Sequence, residues 1–301
     1  MIVAYIIMCF IYGTTFLGIK LGIIAGFTPF FYASLRFSIA GILILAFLLF
    51  KRITLPRDTK FYTDVAFVGM CMTGIEFAGF YWAEQYISSS FAALLAASTP
   101  LMVTLSNRVI EKEKSSRVEN AGIAIGFVGV LLIVFPRLQE GFELTNYWLL
   151  GSLAIIIAEL FYAIGTVKSR KVLAAGYSPA LINGFQMFFG SLFLFALSFL
   201  FEDHLLESGG NLLGISSLVY LVVFGSIIAS GIYYWLVKVT NPLLPSTWTY
   251  VSPLIALVVG YLWLNETIHF ISFVGAIVVL GGVFLTNYKT FQTFLAKQKA
   301  A

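Results

Sequence analysis

The chain has 301 residues, of which 60% are hydrophobic and 11% charged, with a mean hydropathy of +0.96 and a formal net charge of +4. A soluble domain carries about 25% charged residues, so this composition excludes a soluble globular protein and points to an integral membrane protein. The small positive balance is no sign of nucleic-acid binding, because the basic residues gather in short loops between apolar runs.

A membrane-crossing helix needs about 17 to 25 mostly apolar residues. Ten such runs are expected, at 2–22, 30–50, 65–84, 89–107, 120–136, 147–167, 178–200, 212–236, 246–264 and 268–287. Each exceeds the roughly ten-residue alternating strand of an outer-membrane barrel, so the expected fold class is an all-α integral membrane bundle. The first run follows Met1 with no basic leader and no cleavage site, and is expected to be a retained span.

In that first run YGTTFLGIK, residues 12–20, sets Tyr12, Thr15, Phe16 and Ile19 on one mixed stripe and ends on Lys20. Lys20 can snorkel to water, meet Glu84 and close the outer pathway, or approach Glu76 as the protein changes state. Arg36, six residues into the second run, suits an ion pair with an acid such as Glu84, or an outer gate. In the third run Thr73, Glu76 and Phe80 share a face, and Pro100 falls near the middle of the fourth. Pro100 removes an amide donor and predicts a bend.

The sixth run carries Ser152, Glu159, Tyr162 and Thr166 along its length. Glu76 and Glu159 each fall about midway along a span, where an ionised carboxylate facing lipid costs several kcal/mol, so an interior cavity is the expected location. There they suit binding a cation or amine, exchanging protons, or hydrogen bonding in neutral form. Tyr233, Tyr234 and Trp235 near the end of the eighth run read as an interfacial aromatic belt. Tyr250, in the ninth run with Pro253, is the better cavity residue, its approach shaped by Pro242 and Pro245.

Basic residues set orientation. With the N-terminus inside, fifteen of the eighteen Lys and Arg lie on the cytoplasmic side or its rim, and only Arg137 lies in an outer loop. Both termini are therefore expected inside. Cys9 and Cys71 fall within apolar runs and read as buried side chains. Ala92 and Ala96, Gly122 and Gly126, and Gly225 and Ala229 recur at four-residue spacing, which lets helices approach closely. Such contacts fit within one subunit, so a monomer is compatible with them.

The two halves repeat. A separation of 153 pairs Pro100 with Pro253, Leu101 with Leu254, Glu113 with Glu266, Gly122 with Gly275 and Gly129 with Gly282. A separation of 150 pairs Tyr12 with Tyr162, Lys20 with Arg170 and Pro29 with Pro179. Five spans is an odd number, so the expected organisation is two inverted five-helix repeats, 1–137 and 146–289, an arrangement that secondary transporters use around a midplane site.

These features resemble the EamA-type ten-span branch of the drug/metabolite transporter superfamily, over about residues 3–135 and 148–288. The resemblance rests on YGTTFLGIK, on Pro100-Leu101 followed by Glu113, on GIAIGFVGVLLIV from 122, on SPLIALVVGYLWLNE from 252 and on GAIVVLGGVF from 275. Tyr12 stands where many relatives have tryptophan. The resemblance implies two inverted bundles around a central cavity, the fifth and tenth spans peripheral, and export of amino acids, metabolites or drugs.

The expected function is therefore secondary export of a small organic solute across the cytoplasmic membrane by alternating access. An amino acid, amine or amphipathic compound suits the acids and aromatic walls better than a phosphorylated one, and a proton is a possible co-substrate. The alternatives are a facilitative permease or exchanger, a channel, and a receptor-like module. No GKS/T phosphate loop, HExxH or suitable GxSxG arrangement occurs, so neither an enzyme nor a bound cofactor is expected.

Overall fold

The computed structural model describes residues 1–112, 116–139, 147–203, 211–239, 248–286 and 288. The side chains of 137–139, 234, 237–239 and 250 lie outside that description. Glu113, Pro242 and Pro245 lie outside the described residues altogether.

The described residues form ten helical rods joined by short connections. They are α1 (Ile2–Ile24), α2 (Pro29–Phe50), α3 (Thr59–Ala83), α4 (Ser89–Glu111), α5 (Arg117–Gln139), α6 (Tyr147–Ala174), α7 (Pro179–Phe201), α8 (Leu212–Tyr220 continuing to Ala229–Val239), α9 (Trp248–Leu264) and α10 (Phe270–Thr286). Eight of them are long and apolar enough to cross a membrane. The last two have 17 helical residues each, about 26 Å at 1.5 Å per residue, the short end of the range for a span.

Several ends depart from the hydropathy reading for local reasons. α3 starts at Thr59 because the Asp58 carboxylate accepts from the Lys60 amide at 2.9 Å, an N-cap that hydropathy does not register. α6 runs past 167 to Ala174 and carries Lys168, Arg170 and Lys171 as helical residues. Pro29 and Pro179 each open a helix, where the missing amide costs nothing.

Two rods contain π-helix, a form hydropathy does not foresee: Met70–Ile75 inside α3 and Leu221–Ile228 inside α8. Shifted by 153 residues, the first falls within the second. Such segments redirect the side chains that follow and are frequent at functional sites. Glu76 is the residue after the first, and Ser226 lies inside the second.

Helix contacts pair α5 with α10, α2 with α7, α1 with α9 and α8, α6 with α4 and α3, α3 with α7, and α2 with α8. Exchanging α1–α5 with α6–α10 maps this set onto itself. The α5–α10 seam is close, because a Cβ on Gly129 would sit 2.7 Å from the Gly275 carbonyl oxygen, and one on Gly275 2.7 Å from that of Gly129. Only glycine permits that approach. Cys9 and Cys71 are both buried and free.

Candidate functional site

The acids meet between the halves. Glu76 reaches inward from α3 and Glu159 from α6, 6% and 1% exposed, and their carboxyl groups interact electrostatically. The Thr99 hydroxyl lies within hydrogen-bond reach of Glu159. On each acid Oε2 is buried without a hydrogen-bond partner among the described residues. A buried carboxylate left so is costly, and the pair is chemically suited to take up a proton or a cationic group.

α4 delivers Thr99 through a break. It divides into Ser89–Ala96 and Thr99–Glu111, with Pro100 in the first turn of the second piece, where proline is tolerated and cannot continue a preceding helix. The Ser98 hydroxyl donates to the Leu95 carbonyl at 2.7 Å, and that of Thr99 to the Ala96 carbonyl, occupying carbonyls that the break releases. Pro253, by contrast, lies within the uninterrupted helix α9.

Aromatic groups stand around the acids. The Tyr162 hydroxyl interacts electrostatically with Glu76, Glu159, Tyr12 and Tyr233. Tyr12 packs against Trp248 with ring centroids 4.3 Å apart, and Phe16 meets Phe80 edge-on at 5.8 Å. Tyr233, read from its position near a span end as part of a belt, belongs instead to this cluster; hydropathy locates depth but not the side of the helix. Trp248 was likewise not singled out as a site residue. Thr15 donates to the Tyr12 carbonyl at 2.6 Å and abuts Gly225, so it shapes the backbone of α1. The Tyr250 side chain lies outside the described residues.

A second cluster closes one end of the bundle. The Lys20 ammonium donates to the backbone carbonyls of Glu84 and of Ile87, the latter at 2.8 Å. It thereby ties α1 to the end of α3, where helical carbonyls lack partners. Beside it Glu266, from the segment between α9 and α10, accepts from the amides of Ser89 and Ser90 at 2.9 Å each and from both hydroxyls. That fills the first turn of α4 with a charge-assisted cap. Glu84 is 0% exposed, and neither of its carboxyl oxygens meets a donor among the described residues.

Arg36 departs from the expected ion pair. No carboxylate lies within 4.0 Å of it among the described residues; its Nε donates to Ser226 Oγ at 3.0 Å and its Nη1 to the Tyr81 hydroxyl at 3.2 Å. Its guanidinium also stands over the rings of Phe37 and Phe77, at 4.6 and 5.1 Å. Hydroxyls and aromatic faces thus supply the stabilisation a carboxylate was expected to give. Lys20 likewise meets the carbonyl of Glu84 and not its carboxylate. At the opposite end Lys168 pairs with Asp64 at 2.7 Å and Lys171 with Glu111 at 2.8 Å, linking α6 to α3 and α4.

The EamA-like transporter family model matches residues 1–135 and 149–288, nearly the whole chain. The chain belongs to the EamA-like transporter family. Similar proteins include an uncharacterised inner membrane transporter of Escherichia coli, YedA, 30% identical over 280 residues, 92% of this chain and 87% of its own. A WAT1-related chloroplastic protein of Arabidopsis thaliana is 30% identical over 270 residues; the match takes in 86% of this chain but only 63% of the plant protein. An uncharacterised transporter of Archaeoglobus fulgidus is 25% identical over 284 residues, 94% of this chain and 95% of its own. A solved crystal structure shares the fold, with a TM-score of 0.66 and 18% identity over 99% of this chain and 98% of that one. This EamA-like protein is thus a multi-pass membrane transporter, and the similar proteins of Escherichia coli and Archaeoglobus fulgidus are named as transporters, not enzymes. In it the acid pair and the Lys20 end occupy the contacts between α1, α3, α4, α6 and α9.

Proposed function

We propose that the protein is a secondary transporter that moves a small organic solute, an amino acid, amine or amphipathic compound, outward across the cytoplasmic membrane by alternating access, with both termini cytoplasmic. The single observation that carries this reading is the Glu76–Glu159 pair: two buried carboxyl groups from different halves, each with a free oxygen. An ammonium group between them, with Tyr12, Tyr162, Tyr233 and Trp248 alongside, combines charge neutralisation with cation–π attraction. A proton satisfies the same oxygens, which supplies a route to coupling.

The scaffold is two inverted repeats, 1–137 and 146–289. The helix contacts that survive exchange of the halves support it, as does the recurrence of π-helix at a separation of 153. In this reading the Lys20 end is the outer gate, closed in this state, and the bonds of Lys20 and Glu266 support it. Opening then requires α1 and α4 to leave those partners while the Lys168–Asp64 and Lys171–Glu111 pairs hold the other end.

Uptake and exchange of a broad metabolite mixture by purified protein in lipid vesicles tests the reading. Saturable flux that falls in Glu76→Gln and Glu159→Gln, with insertion intact, supports it; unchanged flux in both variants rejects the site. Dependence on an imposed pH gradient separates proton coupling from facilitated movement or exchange. Ion conductance without saturable solute flux would make the protein a channel.

A further inference from the structure

We propose that Glu84 is a second proton-binding site, distinct from the Glu76–Glu159 pair, which holds a proton while the Lys20 end is closed and releases it when that end opens. The inference rests on the reading of the Lys20 end as a gate, and its support is geometric. Glu84 is wholly buried, yet neither carboxyl oxygen meets a donor among the described residues.

The groups around it make hydrogen bonds to other partners. Lys20, from α1, donates to the backbone carbonyls of Glu84 and Ile87. Arg36, from α2, donates to Ser226 and Tyr81. The Tyr32 hydroxyl, also from α2, is 2.5 Å from Ser217 Oγ. Tyr81, from α3 itself, accepts from Arg36, and no bond from its hydroxyl to Glu84 is formed. Glu266, the remaining charged neighbour, accepts from the amides and hydroxyls of Ser89 and Ser90. Among the described residues Glu84 is therefore the buried charge-bearing group of this cluster whose carboxyl oxygens accept no hydrogen bond, and burial without hydrogen bonds favours the neutral acid.

Opening changes both conditions at once. Water reaches the carboxyl group, and Lys20, released from the carbonyls of α3, gains a free ammonium beside it. The O–H bond of Glu84 then breaks, the proton passes to water as hydronium, and the carboxylate left behind pairs with the Lys20 ammonium. Closure reverses each step, so one proton is bound and released per cycle at this end.

Infrared spectroscopy of the protein in lipid vesicles tests proton occupancy without a substrate. At neutral pH the wild type should show the carbonyl band of a protonated buried carboxyl. Glu84→Gln should lose it, Glu84→Asp should shift it, and Glu76→Gln/Glu159→Gln should retain it. That last variant separates failure of this inference from failure of the central site. A difference spectrum between wild type and Glu84→Gln that contains only ionised carboxylate bands overturns the inference.

The link to opening is read separately, in a background of Cys9→Ala and Cys71→Ala. Phe16→Cys is labelled with a membrane-impermeant thiosulfonate applied from the Glu84 face. Once divided by the thiolate fraction of the same cysteine, which rises with pH on its own, labelling should still quicken as pH rises, by up to about tenfold per pH unit for a single-proton step, and that residual dependence should vanish in Glu84→Gln. His269 lies at the same end, just before α10, so His269→Gln serves as the control and should keep the wild-type slope. An identical pH profile in Glu84→Gln and wild type overturns the link.

Discussion

The Glu266 carboxylate stands 2.9 Å from both the backbone amide and the hydroxyl of Ser89, so a residue after α9 caps the start of α4. The cap requires close approach by α9, since a Cβ on Gly260 would collide with the Ser90 hydroxyl and with the Glu266 carboxylate. Glu266→Ala removes the side-chain acceptor of two amides and leaves them orphaned. It should destabilise the detergent-solubilised protein by about 1–2 kcal/mol, the range for loss of a helix cap. Thermal unfolding followed by tryptophan fluorescence checks it, and Glu266→Gln, which keeps an acceptor oxygen, should lie between that variant and wild type. An unfolding midpoint unchanged in Glu266→Ala would show that the cap contributes nothing.

The α5–α10 seam predicts a steric result. At Gly129 any side chain meets the backbone carbonyl of Gly275, which cannot swing aside as a flexible side chain can. Gly129→Val should cost at least the 1–3 kcal/mol typical of overpacking and lower the yield of monodisperse protein in size-exclusion chromatography. Gly231, which has nothing within 4 Å of a built Cβ, supplies the contrast: Gly231→Ala should leave yield and stability near wild type.

Arg36 predicts a difference between two kinds of loss. Ser226→Ala removes the acceptor of Nε inside the π-helical stretch of α8 and leaves a buried donor unmade, at about 1–3 kcal/mol. Arg36→Lys keeps the charge but cannot bridge Ser226 and Tyr81 from one planar group, so it should be at least as damaging. Denaturation in mixed micelles compares the two. Arg36→Lys at wild-type stability would mean that charge alone matters there.

Much of this architecture was legible in the sequence, and the limits have physical causes. Apolar runs report how deep a residue lies, which is why Glu76 and Glu159 stood out as interior acids. Depth does not report direction around the helix axis: Tyr233 faces Tyr162, although its position read as a belt. The π-helical turns also escape hydropathy, because they alter backbone register while leaving composition unchanged, and one of them immediately precedes Glu76. Glu266 stood out only as a member of the repeat, since its role depends on amides 176 and 177 residues away in sequence. Arg36 was expected to seek a carboxylate, but aromatic faces and hydroxyls from three helices solvate it instead.

The ion pairs at the opposite end should matter far less to stability than the buried cluster. Lys171 and Glu111 are 2.8 Å apart but 56% and 34% exposed at their side chains, and exposed pairs contribute about 0–1 kcal/mol before salt screening. Lys171→Ala should therefore move the unfolding midpoint little, and less still at high salt, where wild type and variant should converge. A large destabilisation that persists in high salt would place that pair in a drier setting than its exposure indicates.

Glu76 and Glu159 should behave as one unit, because each carboxyl group lies in the other's field and each keeps one oxygen free of donors among the described residues. If the two share a proton or one cationic group of the solute, removing either charge spoils the same binding event. Glu76→Gln and Glu159→Gln should then each reduce solute flux strongly, and the double variant should be scarcely worse than the poorer single one. Independent sites would multiply the two losses, whereas contacting residues depart from additivity by about 0.5–3 kcal/mol. Initial rates in vesicles matched for inserted protein provide the four corners of the cycle. A double variant whose rate equals the product of the two single losses would separate the acids into independent roles and remove the shared-ligand reading.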